Sequence, residues 1–218
     1  MAESNPKLLR ALEAQLAVRQ AALDSGAMRI GWKLGLGDRE RIGGGPVVGY
    51  LTSLTVLPSG SRCSVAAYAV PRADVEIAVR FKRAVDPDGG LDEVRAAAGS
   101  FTVALELCDL GGSDDPAAIL AANLFHRAVL FGPWTPGFPR RAAHAGATID
   151  GAVLAQGRAR RDLDHLLLCA ARLLADLGEG FRTGDVVIMG SIVEVAVHNG
   201  QQVSARIDGC GSVHVDLA

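Results

Sequence analysis

The sequence predicts an α+β domain rich in strands and opened by a helical segment. Apolar residues recur at every second position through its middle and end, most clearly in Val75-Ile77-Val79-Phe81 and again from Phe101 to Asp109. Helical periodicity is confined to a few stretches that do not alternate with the strands, which argues against a βαβ sheet. The 218 residues are 49% hydrophobic, and the mean hydropathy of +0.23 suits a sizeable core.

The opening element is a helix. Ser4 or Asn5 before Pro6 is a capping residue with proline just inside, and Leu8, Leu9, Leu12, Leu16 and Leu23 form an apolar stripe that ends at Gly26. We divide the chain into this amphipathic helix, residues 1–27, and a β-rich catalytic domain, residues 28–218. Met28 to Leu36 reads as a strand with Lys33 in its apolar run, either a snorkelling side chain or an ammonium facing substrate. Gly35, Gly37 and Gly43-Gly44-Gly45 signal a loop but match no phosphate-binding pattern. Val47 to Leu57 reads as a strand pair with a break, and Pro58-Ser59-Gly60 as a turn.

Pro71 to Phe81 is the strongest strand. The period that gathers its apolar residues on one face sets Asp74 and Glu76 side by side on the other. Most such pairs lie on a solvated face, but paired carboxylates are also what Mg²⁺ or Mn²⁺ seeks. After a turn at Asp86–Gly90 and a short helix from Asp92 to Ala98 comes the second strong strand, Phe101 to Asp109. Glu106 sits between Leu105 and Leu107 there, where a carboxylate is costly to bury without a partner.

Pro116 to Leu124 reads as a helix capped by Asp114 or Asp115, Ala128 to Phe131 as a strand, and Ala145 to Ala155 as a hairpin about Asp150-Gly151. Asp162 or Asp164 caps a helix from Leu163 to Leu177, with Gly178 suited to its end. Strands Asp185–Met189, Val193–Val197, Val203–Ile207 and Val213–Leu217 complete the chain.

A net charge of −2 and 5% aromatic residues give no electrostatic or stacking case for nucleic acid or an anionic membrane. Cys63, Cys108, Cys169 and Cys210 form no C-x-x-C pair, and we expect reduced thiols in a cytoplasmic protein. Small molecules are the expected partners.

Four segments in order carry a family likeness: Gly31-Trp32-Lys33-Leu34-Gly35, Pro71-x-x-Asp74-x-Glu76-Ile77-Ala78, Ala104-Leu105-Glu106-Leu107-x-Asp109 and Gly184 to Ser191. The series resembles the 2-keto-4-pentenoate hydratase/4-oxalocrotonate decarboxylase branch of the fumarylacetoacetate hydrolase superfamily, from about Ile30 to the C-terminus. The resemblance implies a mixed β-sandwich roll with a small helical N-terminal part. It implies Mg²⁺ or Mn²⁺ held by Asp74, Glu76 and Glu106, with Lys33 polarising substrate or moving a proton. Gly190 and Ser191 would line the pocket with Asn123, and Asp109 would support the third ligand from behind. The implied activity is a metal-dependent lyase that hydrates a 2-hydroxydienoate or decarboxylates an oxo-dicarboxylate through a metal-stabilised enolate of a small 2-oxo acid. A homo-oligomer, dimer or larger, is expected with it.

The sequence departs from the family pattern in three places. Asp74 replaces a glutamate, Pro46 to Gly49 lacks the acidic residue usual in hydratases, and Ala122 to His126 is bulkier than its counterpart. His126 is therefore a candidate for the vacant acid–base role. An acylpyruvate-type C–C hydrolase and a degenerate member that binds ligand or scaffolds a paralogue are the alternatives.

Overall fold

A computed structural model describes residues 6–35, 46–140 and 142–218. The capping residues Ser4 and Asn5, and glycines 37 and 43–45, lie outside the described residues. Helix α1 runs from Pro6 to Asp24. The larger sheet has the order β2-β1-β11-β5-β6-β7-β3, with the two-residue strand β8 (Thr135–Pro136) also paired to β6. Its members are β1 (Arg29–Gly35), β2 (Val47–Thr52), β3 (Val56–Leu57), β5 (Pro71–Phe81), β6 (Ala98–Asp109), β7 (His126–Phe131) and β11 (Val186–Ala196). The smaller sheet, β10-β9-β12-β13-β4, is built from Ala152–Arg158, His144–Ile149, Gln202–Ile207, Gly211–Leu217 and Arg62–Cys63. Helices α2 (Gly90–Ala97), α3 (Pro116–Ala121) and α4 (Leu163–Asp176) complete the mixed α+β architecture.

The sandwich follows from the alternation. Val75, Ile77 and Val79 of β5 and Val103, Leu105 and Leu107 of β6 share one buried cluster with Val203, Ala205, Val213 and Val215 of the smaller sheet. The other face of β5 and β6 is buried as well. Ala78, Ala104, Ile188 and Val129 form a separate apolar cluster there, beyond the acidic residues. The solvated-face reading of Asp74 and Glu76 is therefore wrong, because both side chains lie beneath the rolled larger sheet.

Several boundaries move for local reasons. Val47–Leu57 does form two strands, but they are not partners: β2 pairs with β1 and β3 with β7, at opposite ends of the sheet order. Ala98 is already extended and belongs to β6. Asp115 caps α3, accepting from Ala117 N–H, and the helix stops at Ala121. Asp162 stands at the N-cap of α4 without a capping bond, since its carboxylate accepts from Arg160. The two terminal stretches 185–189 and 193–197 are one strand, β11, with a register shift between Met189 and Val193.

Helix α1 is tied into the domain. Gln15 is buried and donates to the carbonyls of Val48 and Leu120. Arg19 pairs with Glu179 at 2.6 Å, and Arg29 reaches both Glu179 and Asp185. Both guanidinium groups lie over the ring of Trp32, at 4.6 and 5.2 Å.

Candidate metal centre and active site

Cross-strand register assembles the acidic cluster. Asp74 of β5 lies directly opposite Glu106 of β6, and Glu76 follows two residues along the same face. One oxygen from each of Asp74, Glu76 and Glu106 lies within 4.8 Å of the others. Relative exposures are 6%, 2% and 0%, and that of Lys33 is 6%.

Glu106 is fully engaged. The Lys33 ammonium lies 2.7 Å from its Oε1 and 2.8 Å from Oε2, and also donates to the Leu124 carbonyl at 3.0 Å. His126 Nδ1 is 2.7 Å from Glu106 Oε1, while Nε2 is 2.9 Å from Thr55 Oγ1. Burial opposes ionisation of Glu106, yet Lys33 and His126 outweigh it and hold the carboxyl at about 2. Burial likewise acts to lower Lys33, but Glu106, Cys108 and Glu76 leave its ammonium raised.

Asp74 and Glu76 are not satisfied in this way. Burial lifts Asp74 to about 7, against a hydrogen bond from the Ser191 hydroxyl and with added repulsion from Glu106. Burial, then the charges of Glu106 and Asp74, push Glu76 well above the carboxylate range. Asp74 Oδ1 and Glu76 Oε2 are buried with no hydrogen-bond partner. Orphaned carboxylate oxygens inside a protein are costly. Hard oxygen donors left open around one point fit a divalent cation such as Mg²⁺ or Mn²⁺.

Asp74 and Glu76 line a cleft of about 620 Å³, a size suited to a small ligand, with Glu106 beneath them. Lys33, Asp74, Glu76 and Ser191 face it, with Leu110, Ile119, Leu124 and Phe125 as apolar wall and Asp114 and Glu194 at the side. Ser191 reaches it through the irregularity in β11, where Gly190 (φ 119°) and Ser191 (φ 38°) take left-handed backbone.

Over 97% of this chain and 86% of the other, the structure is similar to 4-oxalocrotonate decarboxylase from Pseudomonas putida G7 complexed with magnesium and adipate, at TM-score 0.84 and 23% identity. The same enzyme complexed with calcium and acetate matches over 100% of this chain and 89% of that one, at TM-score 0.84 and 22% identity. The chain has the fumarylacetoacetate hydrolase fold. Within that fold, fumarylpyruvate hydrolase from Pseudomonas aeruginosa, in complex with Mn²⁺ and pyruvate, aligns over 88% of this chain and 90% of that one, at TM-score 0.64 and 16% identity. No family model matches the chain.

Placed on this fold, the residues singled out in the sequence separate into two groups. Lys33, Asp74, Glu76, Glu106 and Ser191 converge. His126, Asn123 and Asp109 do not reach the cleft. His126 lies behind Glu106 and lines a smaller cleft of about 380 Å³ on the far side, so the sequence-based acid–base role lacks access to the cavity. Asn123 faces that same far cleft, its amide holding both the N–H and the carbonyl of Tyr50. Asp109 accepts from the N–H groups of Val70 and Gly111 and faces Arg127, fixing the loop after β6. Gly190 supplies the bend and Ser191 the side chain.

Three consecutive left-handed residues, Asn123, Leu124 and Phe125 (φ 62°, 54° and 66°), cause this division. Such backbone is uncommon outside glycine and is held only by surrounding contacts. The turn presents the Leu124 carbonyl to Lys33, and Gly49 gives it room: a Cβ there would lie 2.7 Å from Asn123 Oδ1 and 2.8 Å from Lys33 Cγ. Sequence reasoning missed Asp114, Glu194, Cys108 and Thr55. Only Glu194 had a usable signal, its place in a strand of the right parity to meet Asp74.

Proposed function

We propose that this protein is a divalent-metal-dependent lyase acting on a small 2-oxo acid, as a 2-hydroxydienoate hydratase or an oxo-dicarboxylate decarboxylase. One observation carries the reading: three buried carboxylates converge, and the two that line the cleft each keep an oxygen without any partner. The metal-bound neighbours of the same fold support it.

Asp74, Glu76 and Glu106 would hold the cation, which when bound would draw the 2-oxo and carboxylate oxygens of the substrate and favour its enolate. Lys33 fixes Glu106 by contacting both of its oxygens, so that ligand presents a constant geometry. Ser191 faces the cleft with Asp74 and Glu76, where its hydroxyl favours ionised Asp74 and its backbone N–H favours ionised Glu76. Asp114 and Glu194 face the cleft and can give or take a proton at substrate carbon or water. Either can supply the acid that Pro46–Gly49 lacks. The apolar wall limits the water that reaches the reacting carbon.

A C–C hydrolase is the second reading. The same two acids are placed to activate a water, and the fumarylpyruvate hydrolase neighbour shares the fold.

Titration calorimetry with Mg²⁺ and Mn²⁺, followed by oxalate as an enolate mimic, tests the proposal. Metal binding, with oxalate binding only when metal is present, is the expected result. A wild-type chain that takes up neither ion sinks both readings and leaves the scaffold alternative.

A further inference from the structure

The smaller cleft behind Glu106, about 380 Å³, is built differently from the metal cleft. Val18 and Ala22 of α1, with Leu54 between β2 and β3, form its apolar sides. Val18 is 57% exposed and Leu54 71%, so a ligand that covers them removes apolar surface from water. Arg127 lines the same cleft and brings a positive charge to it. One of its N–H groups donates to the His126 carbonyl at 3.1 Å, and Asp109 Oδ2 lies 3.6 Å away, beyond hydrogen-bond reach. A guanidinium has five such donors, enough to take a carboxylate as well.

The two clefts share one turn. Leu124 and Phe125 line the metal cleft, whereas Asn123 and His126 on either side of them line the far one. The His126 ring bridges the two, from Glu106 Oε1 at 2.7 Å to Thr55 Oγ1 at 2.9 Å, and Thr55 also lines the far cleft. A ligand there touches the residues that hold Glu106 and, through the Leu124 carbonyl, Lys33. The left-handed backbone of this turn is held by its surroundings, so filling the far cleft narrows the positions it can take.

We propose that the far cleft is a regulatory site for a small organic monoanion with an apolar body, whose binding tightens the hold of the metal centre on its cation. Two effects agree on the sign. The anion adds negative charge behind Glu106, which favours a cation in front of it. It also steadies the turn that positions Lys33. The coupling rests on the metal-centre reading above, whereas the anion site does not.

Calorimetry on the full chain, with hexanoate as probe, tests the site and the coupling separately. The metal-free protein should bind hexanoate, and its uncharged counterpart hexanamide at least fivefold more weakly. Arg127→Gln and Leu54→Asp, both at exposed positions, should each weaken hexanoate at least tenfold. Ser191→Ala, in the metal cleft, should leave hexanoate binding within twofold of wild type. Saturating hexanoate should tighten Mg²⁺ at least threefold, Mg²⁺ should tighten hexanoate by the same factor, and Arg127→Gln should abolish both effects. Absence of hexanoate binding, binding that requires Mg²⁺, or binding that survives Arg127→Gln and Leu54→Asp overturns the site. Binding at the far cleft that leaves Mg²⁺ affinity unchanged overturns the regulatory role. A chain that binds hexanoate but no Mg²⁺ overturns the metal-centre reading and the coupling, and leaves the anion site standing.

Discussion

Glu106 separates two environments built from similar residues. On its far side the groups that back it are partnered: His126 bridges Glu106 and Thr55, and Asn123 holds both backbone groups of Tyr50. On its cleft side Asp74 and Glu76 are as deeply buried, yet each keeps an oxygen without a partner. Burial alone does not distinguish a supporting group from a reacting one. Satisfaction separates these two sides of Glu106, since Asp74 and Glu76 alone of the three carboxylates keep an orphaned oxygen, and both face the cleft.

The most damaging way to break this contrast is Glu106→Gln. It should reduce Mg²⁺ affinity at least a hundredfold in calorimetry. It should also cost the metal-free protein about 3–5 kcal/mol in denaturant unfolding, because Lys33 is left buried without its counter-charge. His126→Ala should cost about 1–3 kcal/mol by removing a donor from Glu106 and a partner from Thr55. It should weaken Mg²⁺ by roughly 10–100-fold, as loss of a group orienting a ligand does.

Glu76→Gln should act in the opposite sense on the cleft side. Metal affinity falls, but the metal-free protein gains about 1–2 kcal/mol at pH 8, since an isosteric amide removes a carboxyl whose ionisation is opposed by burial and by Glu106 and Asp74. Equal destabilisation by Glu76→Gln and Glu106→Gln would erase the distinction between the two sides.

Acidity gives a subtler test. Asp74 is raised in the folded state to about 7, so the native protein binds that proton more tightly than the unfolded chain does. Its contribution to stability is complete below the unfolded value near ~4 and is lost as pH rises through about 7. Glu106, held at about 2, runs the other way, its contribution being present above the unfolded value and lost as pH falls through about 2. The metal-free wild type should therefore lose stability relative to Asp74→Asn between about pH 4 and 7, and saturating Mg²⁺ should remove that slope. Thermal melts across pH decide it. The smallest effect belongs to Asn123→Ala, about 1 kcal/mol of stability with Mg²⁺ affinity within twofold of wild type.

The strands were readable in the sequence because an alternating apolar face is a local signal, and β5, β6 and the terminal hairpins follow it closely. The second face of β5 was not. Asp74 and Glu76 look solvated in a linear pattern, and only the rolling of the larger sheet buries them. The position of His126 was hidden for a different reason. No residue preference signals three left-handed non-glycine residues in succession, and that run carries His126 behind Glu106. Asp114 and Glu194 reach the cleft from a loop and a strand far from Lys33 in the chain, so no local spacing links them.

The grip of Lys33 on Glu106 has an electrical consequence. Three carboxylates and one ammonium sum to two negative charges when all are ionised, and a single divalent cation brings that set to electroneutrality. Those four groups, once loaded, add no net repulsion toward an incoming anion beyond that of Asp114 and Glu194 at the side, whereas the same carboxylates without Lys33 would still carry one excess negative charge. The lysine thereby sets the valence of the ion that balances the site and lets an acid approach it.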